Sequence, residues 1–306
     1  MEKSTTRRRP VLSRAGLACA VLAALTAAPT CLRADAIPAA TLAEWRAPHA
    51  PFKLYGNTYY VGTKGLTSIL ITSEYGHTLI DAGLPETAPL ILKNIESLGF
   101  KPTDIKAILN THAHVDHAGG FAAVQQVSSA PVYVRRPSES AIRTGKLPSN
   151  DPQARGTAPP IPPAKLVWIV SDEQLLGVGS NRFQAWATPG HTPGGTTWSW
   201  DACEKDKCLR IVYADSLSPA SDDRFKFSAS KDYPQVLDDF ELSFKRLETM
   251  PCDVLVTPHP DQSQFFERVA KRPTDNPAAL KDAEGCKRYA QAGRGRLAER
   301  LATEKR

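Results

Sequence analysis

Three imidazoles and one carboxylate lie within six residues of this chain, at His112, His114, Asp116 and His117. They follow residues 105–109, an apolar run that predicts a buried strand. A strand delivers its last residues to a loop, where side chains can converge on one point instead of alternating across a sheet. Four such groups exceed the usual three protein ligands of one catalytic zinc ion. This surplus predicts two adjacent metal ions, and the alternative is a polar loop whose histidines face solvent.

Two further histidines also follow segments that read as strands. His191 lies in the run TPGHTPGG after residues 182–188, and His259 lies in the run TPHP after residues 252–257. Five of the seven histidines therefore occupy three strand-end loops. Loops at one edge of a sheet can meet in a common cleft, whereas scattered core histidines would not prefer this location. We expect the three loops to form one site.

The remaining pattern predicts the elements that position these loops. Apolar runs between turn residues predict strands at 51–62 (a pair around residues 56–57), 67–72, 77–81, 131–134, 166–170, 196–200 and 209–213. Helical spacing of apolar residues predicts helices at 87–98, 121–127 and 236–247, and an amphipathic helix in the tail from 276 to 306. Residues 147–165 contain six prolines and predict an irregular surface excursion.

Two single residues near the predicted site each allow two interpretations. Asp81 ends a predicted strand, where it forms a turn or orients a ligand histidine. Trp45 lines the cleft or anchors the N-terminal segment, and we slightly favour the cleft.

The N-terminus indicates export. Four arginines, at positions 7, 8, 9 and 14, precede a short apolar run at 15–28, and Ala34-Asp35-Ala36 offers small residues for cleavage. This predicts a secretory signal peptide over residues 1–36, because the run is too short and wrongly flanked for a membrane span. We expect the protein to be periplasmic or secreted, without a stable membrane anchor after processing. The sequence does not specify the export route.

Charge and cysteine content agree with this prediction. Residues 1–36 carry six Lys/Arg and two Asp/Glu, so the net charge falls from +6 to about +2 without them, which argues against a nucleic-acid partner. Of six cysteines, Cys203, Cys208, Cys252 and Cys286 remain, and four cysteines allow three pairings. Cys203 and Cys208 flank a polar turn and favour a local disulfide, which leaves Cys252 with Cys286. The alternative is free buried thiols.

Four runs together carry a family resemblance: HAHVDHAGG, TPGHTPGG, YADSLS and LVTPHP. With the Cys252/Cys286 pair, they resemble the metallo-β-lactamase superfamily, most closely its third subclass of zinc β-lactamases (subclass B3). The resemblance runs from about Trp45 to the C-terminus. It implies an α/β (α+β) fold, a four-layer αβ/βα sandwich, with one catalytic domain over residues 37–306.

The resemblance also implies roles for individual residues. Two Zn²⁺ ions per chain are implied, with the first ion held by His112, His114 and His191 and the second by Asp116, His117 and His259. Asp116 would also be catalytic, as the group that orients the attacking hydroxide. Ser216 and Ser218 would bind the substrate carboxylate, and their alternative is ordinary turn serines. Asp215 could instead bridge the metals, which would favour a different hydrolase of the superfamily.

The implied function is an exported dinuclear zinc hydrolase that confers antibiotic resistance. It would open the β-lactam amide bond of penicillins, cephalosporins and carbapenems through a zinc-bound hydroxide. The expected partner is a small-molecule β-lactam, and a monomer is favoured over an oligomer. The alternatives are a thioester or lactone hydrolase, an iron-dependent redox enzyme, and a non-catalytic zinc-binding protein.

Overall fold

Two β-sheets face each other at the centre of the computed structural model, which describes Met1 and residues 37–156, 159–273 and 276–305. The first sheet has seven strands in chain order: β1 (Phe52–Tyr55), β2 (Thr58–Tyr60), β3 (Ile69–Ile71), β4 (His77–Ile80), β5 (Ile105–Leu109), β6 (Val132–Arg135) and β7 (Val167–Val170). The second has the order β12-β11-β10-β9-β8: β8 (Leu175–Val178), β9 (Asn181–Ala187), β10 (Thr196–Glu204), β11 (Lys207–Tyr213) and β12 (Val254–Val256).

Helices cover the outer faces of both sheets. The α-helices are α1 (Ala39–Arg46), α2 (Ala88–Ser97), α3 (Val115–Ala118), α4 (Phe121–Ser128), α5 (Arg136–Thr144), α6 (Val236–Thr249), α7 (Phe265–Ala270) and α8 (Gly285–Glu304). Short 3₁₀ turns lie at Pro85–Thr87, Pro102–Asp104, Pro260–Ser263 and Pro277–Leu280. None of the helices within the described ranges is long and apolar enough to cross a membrane.

The alternation of apolar residues along the strands builds four layers. Ile69 and Leu109 point inward and pack against the inner face of the second sheet, where Trp198 is fully buried. Leu70 and Ile108 point outward and pack with residues of α2 and α4. A third cluster joins the outer face of the second sheet to α6 and α8. Because successive strand residues face opposite sides of a sheet, the residues of one strand pack into two different hydrophobic clusters. The predicted four-layer αβ/βα sandwich is confirmed.

The structure corrects several predicted elements. Strand β8 and helices α1, α5 and α7 were not predicted. The tail helix begins only at Gly285, although its buried residues at 286, 289, 290, 293 and 297 form the expected stripe. The described residues of 147–165 contain no helix or strand and most are partly or fully exposed, as predicted, but Asp151, Ile161 and Ala164 are buried.

Both predicted disulfides are present in the structure. Cys203 and Cys208 pair across the β10–β11 hairpin, and Cys252 and Cys286 join the segment before β12 to the start of α8. Described residues from 37 onward belong to one compact unit. The predicted signal peptide, residues 1–36, lies outside the described residues apart from Met1.

Candidate metal centre

The loop after β5 places four polar side chains in two directions. His112 and His114 lie in the loop that follows β5, two residues apart, a spacing that in extended backbone turns both side chains to the same side. His114 then begins the single helical turn α3, where the backbone N–H of Ala118 donates to its carbonyl at 2.8 Å. Asp116 and His117 project from that turn. The change from extended to helical backbone therefore turns Asp116 and His117 away from His112 and His114.

Two glycines let this loop pack against the end of β4. A Cβ on Gly120 would lie 2.2 Å from the carbonyl oxygen of Ala82, so no larger residue fits there. The N–H of Ala82 donates to the carbonyl of His117 at 2.9 Å. These close backbone contacts hold the loop against the sheet, which explains the pair of glycines that follows the histidines.

The second sheet supplies the other two histidines. His191 follows β9 in a tight turn where Gly190 has φ +127°, and a Cβ there would lie 2.7 Å from the Phe240 ring. His259 follows β12, and the carbonyl of Pro258 before it accepts from the N–H of Thr67, in the loop before β3 of the first sheet, at 2.9 Å. All three loops that carry the predicted ligands therefore open at the same edge of the two sheets.

Six side chains converge there as two adjacent groups of three. Within each group, one potential ligand atom per residue lies within 4.8 Å of the others: the groups are His112, His114, His191 and Asp116, His117, His259. In the second group, Asp116 Oδ2 lies 3.0 Å from His117 Nε2 and 3.4 Å from His259 Nε2. The rings of His112 and His117 have centroids 4.3 Å apart, so the two groups are neighbours.

The outer nitrogens of these rings are held by protein oxygens. His112 Nδ1 lies 2.7 Å from Asp215 Oδ1, His114 Nε2 lies 3.1 Å from Asp151 Oδ1, and His191 Nδ1 lies 2.8 Å from the carbonyl of Ser218. Among the described residues, neither ring nitrogen of the buried His117 makes a hydrogen bond of good geometry, although Asp116 Oδ2 lies 3.0 Å from its Nε2. An outer partner that orients the ring through one nitrogen is typical of metal-binding histidines. The inner nitrogen of His114, Nδ1, lies 3.5 Å from the side-chain amide of Gln153. The six residues thus fit two metal ions.

Electrostatics favour the metal-binding protonation states at three of the six residues, whereas burial is outweighed at His114 and His259 by the carboxylates of Asp151 and Asp116, which raise the pKa of these two histidines. Burial, with the neighbouring imidazoles, holds the pKa of His112 well below its usual value and lowers the pKa of His191 to about 3. Burial acts to raise the pKa of Asp116, but the facing imidazole of His117 outweighs it and holds that pKa well below the usual range. Neutral imidazole and ionised carboxylate are the forms that coordinate metal.

Two buried carboxylates support the groups from behind. The Asp215 carboxylate faces the outer nitrogen of His112 and belongs to neither group, so its position does not favour the bridging role left open by the sequence. Asp81 accepts hydrogen bonds from the N–H and hydroxyl of Thr111 and from the Tyr213 hydroxyl, and lies 3.6 Å from His117 Nδ1. Burial raises the pKa of Asp81 to about 6. It is thus more than a turn former.

A cleft of about 650 Å³ opens over the two groups. Ser216 and Ser218 line it beside His114 and His191, and Trp45 lines it with its ring centroid 5.3 Å from that of His259. The neighbouring Asp222 is occupied, since its carboxylate accepts from the backbone N–H groups of residues 155, 224 and 225. This carboxylate is therefore engaged by the protein rather than directed at the serines.

Sequence reasoning missed the carboxylates at positions 151 and 215 as partners of ligand histidines. Asp215 directly precedes Ser216 at a strand end, a position that could have indicated a contact with a nearby histidine. Asp151 lies in the proline-rich segment, 37 residues after His114, and no pattern connects the two.

Comparisons with known proteins agree with this geometry. The chain matches the model of the metallo-beta-lactamase superfamily over residues 61–259. It resembles the solved structure of Rm3 metallo-beta-lactamase with 46% identity and a TM-score of 0.84, over 86% of this chain and 98% of that one. For MEM-A1, a subclass B3 metallo-beta-lactamase from a soil metagenome library, the identity is 41% and the TM-score 0.83, over 85% and 98% of the chains.

A curated relative gives a shorter match. The probable metallo-hydrolase YflN of Bacillus subtilis (strain 168) is 33% identical over 136 residues, or 41% of this chain, and the match spans about half, 51%, of YflN. The family match covers well over half of the present chain, and the loops that bring the two groups together lie within or at the end of the matched range. The chain therefore belongs to the metallo-beta-lactamase superfamily, and its similarity to solved subclass B3 enzymes extends over most of its length.

Proposed function

We propose that this protein is an exported zinc-dependent β-lactamase that hydrolyses the amide bond of penicillins, cephalosporins and carbapenems and so confers antibiotic resistance. The observation that carries the proposal is the pair of adjacent three-residue groups, four of whose six members line one cleft. The similarity to solved metallo-beta-lactamases over most of the chain supports the substrate class. The position of Asp215 behind His112, away from both groups, favours this activity over the thioester or lactone alternative.

The six residues would hold two zinc ions, the first with His112, His114 and His191 and the second with Asp116, His117 and His259. Bound zinc supplies Lewis-acid polarisation and lowers the pKa of water from 15.7 to about 7. Imidazole and carboxylate ligands suit zinc, and the outer contacts of the rings hold these ligands in place before any ion arrives.

The chain's own residues would bind and orient the reactants. Asp116 presents Oδ2 to His117 and His259, so its Oδ1 is the oxygen that would accept a hydrogen bond from the attacking water. Ser216 and Ser218 line the cleft, and their hydroxyl groups would donate to the substrate carboxylate. Trp45 would cover the apolar side of the substrate and exclude water there.

The decisive experiment is hydrolysis of a penicillin and a carbapenem by the purified protein, followed by the loss of β-lactam absorbance. We expect hydrolysis with added zinc, complete loss after treatment with a chelator, and recovery when zinc is restored, because the proposed site has no other source of Lewis acidity. A folded, zinc-loaded protein that cleaves a thioester or a lactone but neither β-lactam would contradict the proposal and establish the alternative.

Export is part of the same proposal. The two disulfides support an oxidising compartment, because disulfides persist there and are rare in the cytosol. We expect the protein purified from the periplasm to start after Ala36 and to consist of one catalytic domain, residues 37–306, as a monomer without a membrane anchor. N-terminal sequencing checks the cleavage; a cytoplasmic chain that still starts at Met1 would contradict it.

A further inference from the structure

A buried carboxylate from outside the ligand loops contacts one of the proposed zinc ligands. Asp151 is only 3% exposed, and its Oδ1 lies 3.1 Å from His114 Nε2. The same oxygen accepts from the backbone N–H of Gln153 at 2.8 Å. Because the Gln153 contact fixes the carboxylate, the ring of His114 meets an acceptor in a defined place.

We propose that Asp151 is a positioning residue that holds His114 with its proton on Nε2 and leaves Nδ1 for the first metal ion. The assignment follows from the two ring nitrogens. Nε2 is the one that faces Asp151, and an ionised carboxylate can only accept, so this contact places the proton on Nε2. Nδ1 lies 3.5 Å from the side-chain amide nitrogen of Gln153, which can only donate, so Nδ1 keeps its lone pair, and a bound ion would replace this amide contact. The inference rests on the proposed metal site, and it concerns a residue outside that ligand set.

The charge around Asp151 supports this role. Within the described part of the chain, His114 is the only basic side chain in ion-pair contact with Asp151, and the nearby Arg155 pairs with Asp232 instead. A buried carboxylate without a cationic partner is costly. A cation bound by His114 would offset this charge through the ring, so the carboxylate and the metal would stabilise each other.

The segment that carries Asp151 also forms a wall of the cleft. Gln153 lines the cleft, and two hydrogen bonds join the segment to Asp222, which also lines the cleft. The N–H of Asp222 donates to the carbonyl of Pro152, and the N–H of Arg155 donates to the Asp222 carboxylate, both at 3.0 Å. The same segment therefore lines the cleft, through Gln153, and contacts the ring of His114, through Asp151. A shift of this segment would move His114.

The test compares Asp151→Ala and Asp151→Asn with the wild-type protein by zinc titration against a chromophoric chelator and by the visible spectrum of the cobalt-substituted proteins. Asp206→Asn, an exposed change at the β10–β11 hairpin, is the matched control. Loss of an outer partner of a ligand histidine typically weakens metal affinity about 10–100-fold. We expect that loss at one site in D151A, with an altered cobalt spectrum and an unchanged second site.

The asparagine variant separates positioning from folding. Its amide oxygen can still accept from Nε2–H in a side chain of the same shape, so we expect D151N to lose less affinity than D151A. If both variants bind two zinc ions with wild-type affinity and give the wild-type cobalt spectrum, the inference is wrong while the proposed function stands. If the folded wild-type protein binds no zinc, the proposed function fails and the inference with it.

Discussion

Replacing His117 with alanine should leave a folded protein that binds one zinc ion instead of two and hydrolyses a carbapenem at least about 100-fold more slowly. Losing an outer partner of a ligand already costs about 10–100-fold, and His117 is itself a proposed ligand. Its ring is fully buried, 3.0 Å from Asp116 and among imidazoles of both groups. Zinc content by mass spectrometry and kcat/KM for the carbapenem are the measurements.

Two further variants sharpen this test. His259→Ala removes a different member of the same group and should give the same zinc content and a similar loss. His49→Ala removes an imidazole that belongs to neither group and stacks on Phe266, so it should keep both ions and near-normal turnover. Near-normal turnover by H117A with a single zinc ion would contradict the two-metal assignment.

Replacing Asp81 with alanine should lower the free energy of unfolding by about 3 kcal/mol or more. The change leaves two buried donors of Thr111, its backbone N–H and its hydroxyl, without the Asp81 acceptor, and each unsatisfied group costs about 1–3 kcal/mol. The Tyr213 hydroxyl keeps the carbonyl of Thr67 as an acceptor at 3.1 Å. Asp81 also has φ +54°, a conformation that costs alanine about 1–2 kcal/mol more. Urea unfolding of the metal-free and zinc-loaded proteins measures the effect.

Asp81→Asn is the control for this stability prediction. Asparagine tolerates positive φ and keeps one acceptor oxygen. Burial raises the pKa of Asp81, which means that the protein interior disfavours its charged form, so removal of the charge alone should cost less than removal of the side chain. A metal-free D81A protein as stable as D81N would show that these hydrogen bonds do not stabilise the fold.

The sequence predicted what lies close along the chain. Strand β5 was predicted with its observed ends, 105–109, because its apolar run stops where the polar loop begins. The convergence of three loops could be predicted because each follows a recognisable strand, and the division into two groups of three came from the family resemblance of these runs. Asp151 could not, because its contact with His114 depends on how an irregular segment folds back over 37 residues. Helix α5 was missed although Pro137 at its first turn and its apolar spacing gave a signal.

Strand β8 shows a different limit of the pattern. It lies at the edge of the second sheet, and its residues alternate between exposed and buried, with Leu175 59% exposed. An exposed leucine weakens the alternation of apolar and polar residues on which the prediction of a half-buried strand depends. Its pairing with β9 is a tertiary contact that the local sequence does not specify.

Each ligand group combines residues from both sheets: His191 joins two histidines that follow β5, and His259 joins Asp116 and His117. Neither half of the chain therefore contains a complete group, and both groups are completed only when the two halves pair. The identity of a bound metal depends strongly on which ions are available where binding occurs. If the chain is exported unfolded, the metal ions available outside the cytoplasm determine which metal it binds. If it is exported folded, the metal ions available in the cytoplasm determine this.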